Sequence, residues 1–410
     1  MIKRLHYAWV IVLSGLVLAA VVAGMALNCF SLFVIPVSEE LGFTRAQMGV
    51  CQTINALGFA VTAIVSGWLF QKFRLMNIMR LSSVLIVIAY FLYSRATKLW
   101  MFYGLASVSS MSASLLTWVP LSVILNNWFH KKRAFAIGFA FMGSGIGGMI
   151  FSFLGSRLIE TIGWRSTFIV MAAVLFISCV PITFLILRVH PKDKGVLPYG
   201  ADEMKNYEYS ETENDGLLVK DAVQSIRFYC ILFFILISGF ATNGFTATFV
   251  PHLEDSGYSS IRAGELYSVY MMVLAFGKVT TGSLFDKFGA KKTTLLSLFL
   301  LMITLSALCC ARYPAAIAVC LIASGIGNCY ATVGLPVLAR AVYGNREYAS
   351  FTGIFSTLGN IGSTLAPALM GVFSDALGSY TPGYLLFVAL LFVSFALAVV
   401  SVPNAALEKR

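Results

Sequence analysis

The sequence predicts an all-α membrane protein, twelve transmembrane helices in two pseudo-symmetric six-helix bundles. Three observations predict it. Hydrophobic residues make up 59% of the chain and charged residues only 11%, where an average soluble domain carries roughly 25% charged residues; the mean hydropathy is +0.84. The apolar residues gather into runs near the about 20 residues that a helix needs to cross a bilayer. The two halves also share motifs at one constant offset, as a duplicated unit would.

The first apolar run follows Lys3 and Arg4 and extends over about residues 8–35, longer than the roughly 7–15 residues of a signal-peptide core. It is therefore expected to be the first helix. The others are expected near 46–70, 77–96, 99–126, 133–158, 164–188, 224–250, 261–286, 290–310, 313–341, 349–375 and 382–403. The polar stretch 189–221, rich in acids, reads as a solvated linker. Residues 1–188 are then the N-terminal bundle, 189–222 a cytoplasmic linker and 223–410 the C-terminal bundle.

With the N-terminus inside, basic groups such as Lys72, Arg74, Arg80, Lys131, Lys132, Arg133, Lys287, Lys291 and Lys292 face the cytoplasm, about three for each one on the far side. That bias places both termini in the cytoplasm of a multi-pass plasma-membrane protein. The net charge of +11 then faces anionic lipid, and its dispersal over short loops excludes a nucleic-acid partner. Eight cysteines without CxxC spacing indicate neither zinc nor disulfides. His6, His130, His190 and His252 are scattered near the membrane edges and read as interfacial residues. No metal, cofactor or catalytic constellation is expected, and the chain is expected to act as a monomer. Gly143-Ser-Gly-Ile-Gly-Gly148 matches GxGxxG but lies in an apolar helix with no preceding strand; it reads as close helix packing and a sliding surface.

Gly67-Trp-Leu-Phe-Gln-Lys-Phe73 aligns with Gly282-Ser-Leu-Phe-Asp-Lys-Phe288 at an offset of 215 (282 − 67), and the same offset relates Gly138 to Gly353 and Gly147 to Gly362. Position 278 maps onto Ala63. Lys278 is the one full charge in the run 266–285. A charge at bilayer depth costs on the order of 3 kcal/mol, so such residues face a protein interior or an aqueous cavity and are functional by default. With no acid in the middle of any other run, a lysine here points to an exogenous anion.

Gly282-Ser-Leu-Phe-Asp-Lys-Phe-Gly-Ala-Lys-Lys292 resembles the signature loop of the major facilitator superfamily, whose parallel six-helix repeats bind substrate near the midplane. It assigns Gly282, Asp286, Lys287, Gly289, Lys291 and Lys292 to a conformational loop. The first-half copy departs from it, with Gln71 in place of the acid and Arg74 in place of the second glycine. Phe33-Val-Ile-Pro-Val-Ser-Glu-Glu-Leu-Gly-Phe-Thr-Arg45, Trp128-Phe-His-Lys-Lys-Arg-Ala-Phe-Ala-Ile-Gly138 and Gly163-Trp-Arg-Ser-Thr-Phe168 resemble the oxalate/formate antiporter and monocarboxylate transporter branch.

That resemblance implies transport of a small mono- or dicarboxylate by alternating access, with a helix-eight cation holding the carboxylate. Lys278 stands where the branch has arginine, and Leu274 where it often has asparagine. An ammonium is a point charge rather than a bidentate fork, so a related but non-identical ligand is expected. Coupling is to a second anion by exchange or to protons. Helical spacing groups Tyr270 and Thr281 with Lys278; helix seven adds Ser238, Thr242, Asn243 and Thr246, helix ten Ser324, Asn328 and Thr332, helix eleven Ser356 and Asn360. Tyr330 resembles an aromatic that contacts substrate in the branch. Asn28, Asn55, Thr117 and Trp118 are the first-half nominees. The alternative is an efflux pump for amphipathic compounds, its cavity lined by Phe30, Phe59, Phe141, Met142, Met271, Met272 and Phe355.

Overall fold

The computed structural model describes residues 6–27, 29–201 and 216–403. Nine helical stretches among them are long and apolar enough to cross a membrane. Two are too long for one crossing. Arg133–Ile186 has 54 residues and Arg262–Cys309 has 48, about 80 and 70 Å at 1.5 Å per residue, against a hydrocarbon core of about 30 Å. Each breaks at one glycine, Gly163 (φ 76°, ψ 163°) and Gly289 (φ 79°, ψ 174°), in a backbone region that a Cβ disfavours. Each is therefore two helices, and Tyr348–Leu377 completes twelve.

In chain order these are α1 (Tyr7–Leu41), α2 (Arg45–Lys72), α3 (Leu75–Tyr93), α4 (Leu99–Trp128), α5 (133–162), α6 (164–186), α7 (Ile226–Asp255), α8 (260–288), α9 (290–309), α10 (Pro314–Tyr343), α11 (Tyr348–Leu377) and α12 (Thr381–Ser401). The chain forms two compact units, Met1–Tyr207 and Glu208–Arg410.

Helices surrounded by lipid gain little from burying apolar groups against each other and associate where small residues let backbones meet. In the first unit α1 meets α5 in this way. A Cβ on Gly143 would lie 2.1 Å from the Leu16 carbonyl oxygen, and one on Gly147 2.0 Å from that of Ala20. The GxGxxG stretch is thus a packing surface. The second unit repeats the arrangement between α7 and α11, where a Cβ on Gly362 would lie 2.4 Å from the Leu236 oxygen.

α4 and α10, expected to be continuous, are interrupted. α4 runs from Leu99 to Ser114, breaks at Thr117 (φ −112°, ψ −113°) and resumes at Trp118. α10 widens into a π-helical turn over Tyr330–Gly334. Leu115, where the α4 break begins, and Tyr330 are again 215 apart, so the duplication extends to helix irregularities that hydropathy does not register.

At one end of the first unit, Glu40 gathers the loops. Trp164 Nε1 donates to its Oε2 at 2.5 Å and Arg165 Nε to its Oε1 at 3.0 Å, while Arg165 also donates to the Ser94 and Ala96 carbonyls. The stretch read as solvated linker is docked at both its ends. Tyr199 accepts from the His130 N–H and donates its own N–H to the Trp128 carbonyl, with its ring against Trp9 and Phe129. The Leu217 N–H donates to the Tyr343 carbonyl and the Val219 N–H to Glu347 Oε2. Pro191, Tyr199 and Ala201 supply apolar area that repays leaving water, which the acid count of the segment obscures.

Candidate functional site

The second unit builds its candidate site where α8 meets α10. Lys278 lies in the middle of α8 with 5% of its surface exposed. The residue before it makes the approach possible: a Cβ on Gly277 would sit 1.7 Å from the Gly325 carbonyl oxygen of α10. One turn further along α10, Cys329 donates its thiol to the Leu274 carbonyl at 3.3 Å and lies close enough to Lys278 for the two to interact electrostatically. Thr281, one turn beyond Lys278 on α8, is fully buried. The lysine is therefore held beside the turn that precedes the π-helical segment.

Two turns before Lys278, Tyr270 is the hub of a buried polar chain. Asn328 Nδ2 donates to the Tyr270 hydroxyl at 3.0 Å, and that hydroxyl is 3.0 Å from Thr246 Oγ1. Thr246 in turn donates to the Thr242 carbonyl at 2.9 Å, one turn back on α7. Rings of Phe245, Phe249 and Tyr267 surround Tyr270. Three helices thus meet through one phenol. Asn328 and Cys329 are consecutive, so the same turn of α10 serves both Tyr270 and Lys278. Asn328 Oδ1 is buried and has no hydrogen-bond partner among the described residues.

The other nominees make other contacts within their own units. Asn243 donates to the Ser363 carbonyl of α11, a helix-to-helix tie. Tyr330 is packed in the core of its unit, its ring 6.5 Å from that of Phe234 and against Gly334; the structure does not join it to the Tyr270 chain. Ser238, Ser324 and Thr332 bond carbonyls of their own helices. Asn360 is half-buried on α11, and Ser356 likewise. In the first unit Trp118 packs edge-on against Phe141 at 4.7 Å, Thr117 bonds the Ala113 carbonyl and Asn55 is half-buried on α2. Asn28 lies outside the described residues.

Gly282, Asp286 and Lys287 lie in the last two turns of α8, Gly289 is the break, and Lys291 and Lys292 open α9, with Thr293 bonded back across the break to the Leu284 carbonyl. His252, expected at the interface, is instead buried in the second unit. Its Nε2 is 2.9 Å from the Leu308 carbonyl, and its ring packs edge-on to Tyr384. The apolar faces of α9 and α12 close over it, a tertiary effect that its place near the end of α7 hides. Phe30, Phe141 and Phe355 of the wide-cavity reading are also buried, against Tyr93, Trp118 and Tyr343.

Sequence reading missed Cys329 and the contact of Gly277 with Gly325. The signal was present in part, since Gly277 directly precedes the buried charge and small residues recur at Gly325 and Gly327.

The family model described as Major Facilitator Superfamily matches residues 16–276 and 231–410. Monocarboxylate transporter 12 of Xenopus laevis is 24% identical over 420 residues, covering 97% of this chain and 89% of that protein. Monocarboxylate transporter 13 of Rattus norvegicus is 25% identical over 395 residues, covering 92% and 85%. Among solved structures, the E. coli fucose:proton symporter aligns with a TM-score of 0.69 at 14% identity, covering 96% of this chain and 98% of that one. A proton:xylose symporter aligns at 0.73 and 12% identity, covering 95% and 94%.

Proposed function

The chain belongs to the Major Facilitator Superfamily, a multi-pass membrane transporter rather than an enzyme, and from that premise we propose that it moves a small mono- or dicarboxylate by alternating access. The observation that carries the reading is Lys278, a cation buried at mid-helix, since an ionisable residue at bilayer depth is costly to keep and is functional by default. The similarity to proteins named monocarboxylate transporters supports the same class. Lys278 binds the carboxylate; Tyr270 and Asn328 on the same helix pair shape the site around it. The α8–α9 segment from Gly282 to Lys292 serves as the conformational loop.

A bound carboxylate neutralises Lys278 and so lowers the cost of the conformational change that carries the site across the membrane. The empty, charged site resists that change, which favours exchange of one anion for another. A Lys278 that releases its proton instead gives proton symport. Both termini lie on the cytoplasmic side of the plasma membrane, by the distribution of Lys and Arg.

Counterflow in proteoliposomes tests this. A panel of labelled mono- and dicarboxylates should exchange with at least one member, and Lys278→Ala should abolish it; an imposed pH gradient that drives net uptake separates symport from exchange. No exchange with any carboxylate, together with transport of a cationic dye that survives Lys278→Ala, would sink the proposal in favour of efflux of amphipathic compounds.

A further inference from the structure

Asn328 Oδ1 stands out in the second unit as a buried amide oxygen, on a residue 2% exposed, at the turn that neighbours Lys278. The direction of the hydrogen-bond chain decides what this atom needs. Thr246 lies one helical turn beyond Thr242, and its hydroxyl proton goes back to the Thr242 carbonyl, the usual bond of a threonine within a helix. Its oxygen is then an acceptor, so the Tyr270 proton goes to Thr246. The phenol oxygen in turn accepts from Asn328 Nδ2. Every proton in the chain runs one way, from Asn328 through Tyr270 and Thr246 to the backbone of α7. The amide is fixed with its Nδ2 on the phenol, which leaves Oδ1 as the acceptor end, and the Tyr270 and Thr246 hydroxyls of the chain are already committed as donors elsewhere.

We infer that Asn328 is a specificity-determining residue whose Oδ1 accepts a hydrogen bond from an O–H or N–H group of the substrate, so that the transporter prefers carboxylates bearing such a donor over otherwise identical ones lacking it. This rests on Lys278 as the carboxylate site. Tyr270 is a positioning residue that holds the amide in its orientation. A site built to accept a hydrogen bond rejects an analogue without the donor, because its own buried oxygen is then left unpaired. A purely apolar neighbour would show the reverse preference, since the added hydroxyl must be desolvated.

The experiment is proteoliposome uptake of two matched pairs, glycolate with acetate and 3-hydroxybutanoate with butanoate, read as the ratio of kcat/KM within each pair. Wild type should favour the hydroxylated member of at least one pair by about tenfold or more. Asn328→Leu should bring that ratio to about one. Tyr270→Phe frees Nδ2 and lets the amide rotate, so it should lower the ratio as well. Because the ratio is taken within one variant, a general loss of activity or of folded protein cancels. Equal transport of both members by wild type overturns the inference, as does a preference that survives both substitutions. If no carboxylate is transported, or if uptake is indifferent to Lys278→Ala, it is the Lys278 reading that fails. Uptake that depends on Lys278 with a ratio of about one leaves that reading standing and removes only the role of Asn328.

Discussion

Gly277 of α8 and Gly325 of α10 touch backbone to backbone: a Cβ on Gly277 would lie 1.7 Å from the Gly325 carbonyl oxygen. The two nearest atoms, the Gly325 carbonyl oxygen and carbon, are backbone and cannot swing aside, and the Cys329 Sγ at 3.0 Å adds to the crowding. Gly277→Ala should therefore push α8 from α10 and lower stability by about 1–3 kcal/mol, the ordinary range for overpacking. The measurement is thermal unfolding in detergent, with the Gly104→Ala variant as control. No atom lies within 4 Å of a Cβ at Gly104, and that change should be neutral or slightly stabilising.

Lys278 adjoins that contact, so ligand binding should report on it. In a thermal-shift screen of purified protein with small organic acids, a true ligand at about 100 times its dissociation constant adds about 2.7 kcal/mol to the folded state. Lys278→Gln should abolish this increment while leaving the unliganded protein folded. An increment that persists in the variant would place the anion elsewhere.

Much of this was legible from residue order alone. The twelve spans follow from apolar runs, and Lys278 declares itself as a charge in a segment otherwise without one. The offset of 215 marks the duplication, and the structure carries it into Gly147 and Gly362, each against a carbonyl of the facing helix. The polar partners were less legible. Helical spacing brought Tyr270, Thr246 and Asn328 into view, but three helices had to be packed before they formed one chain. Equal spacing also nominated Ser324 and Thr332, whose hydroxyls bond their own backbone. Hydroxyls in membrane helices often do so, and periodicity cannot tell the two fates apart. The burial of His252 and the docking of Tyr199 depend on contacts far apart in sequence.

Glu40 offers a test of which bonds matter at its end of the first unit. Its ion pair with Arg165 is half exposed, with side-chain exposures of 34% for the arginine and 49% for the acid, so the Coulomb part contributes little. Trp164 is different, being 4% exposed with its indole N–H on Glu40 Oε2. Glu40→Ala strands that donor and should cost about 1–3 kcal/mol, whereas Glu40→Gln keeps an acceptor and should cost clearly less. Thermal unfolding of both variants at low and high salt checks this. A salt-dependent loss equal in the two would mean that the ion pair dominates.

Asn243 allows a structural amide to be told from a ligand-binding one by experiment. Its Nδ2 donates to the Ser363 carbonyl, joining α7 to α11 near the close contact of Gly239 with Gly359. Asn243→Ala removes one donor from a carbonyl that remains in its helix, and polar contacts between membrane helices average about 0.6 kcal/mol. The expected result is a stability loss of about that size, seen in thermal unfolding, with the KM for the carboxylate within about twofold of wild type. Asn328→Leu should do the opposite, changing the ranking of substrates more than the unfolding temperature. If Asn243→Ala instead raised KM tenfold at unchanged stability, the amide would have to reach the substrate directly, and its bond to Ser363 would be a resting contact that the ligand displaces.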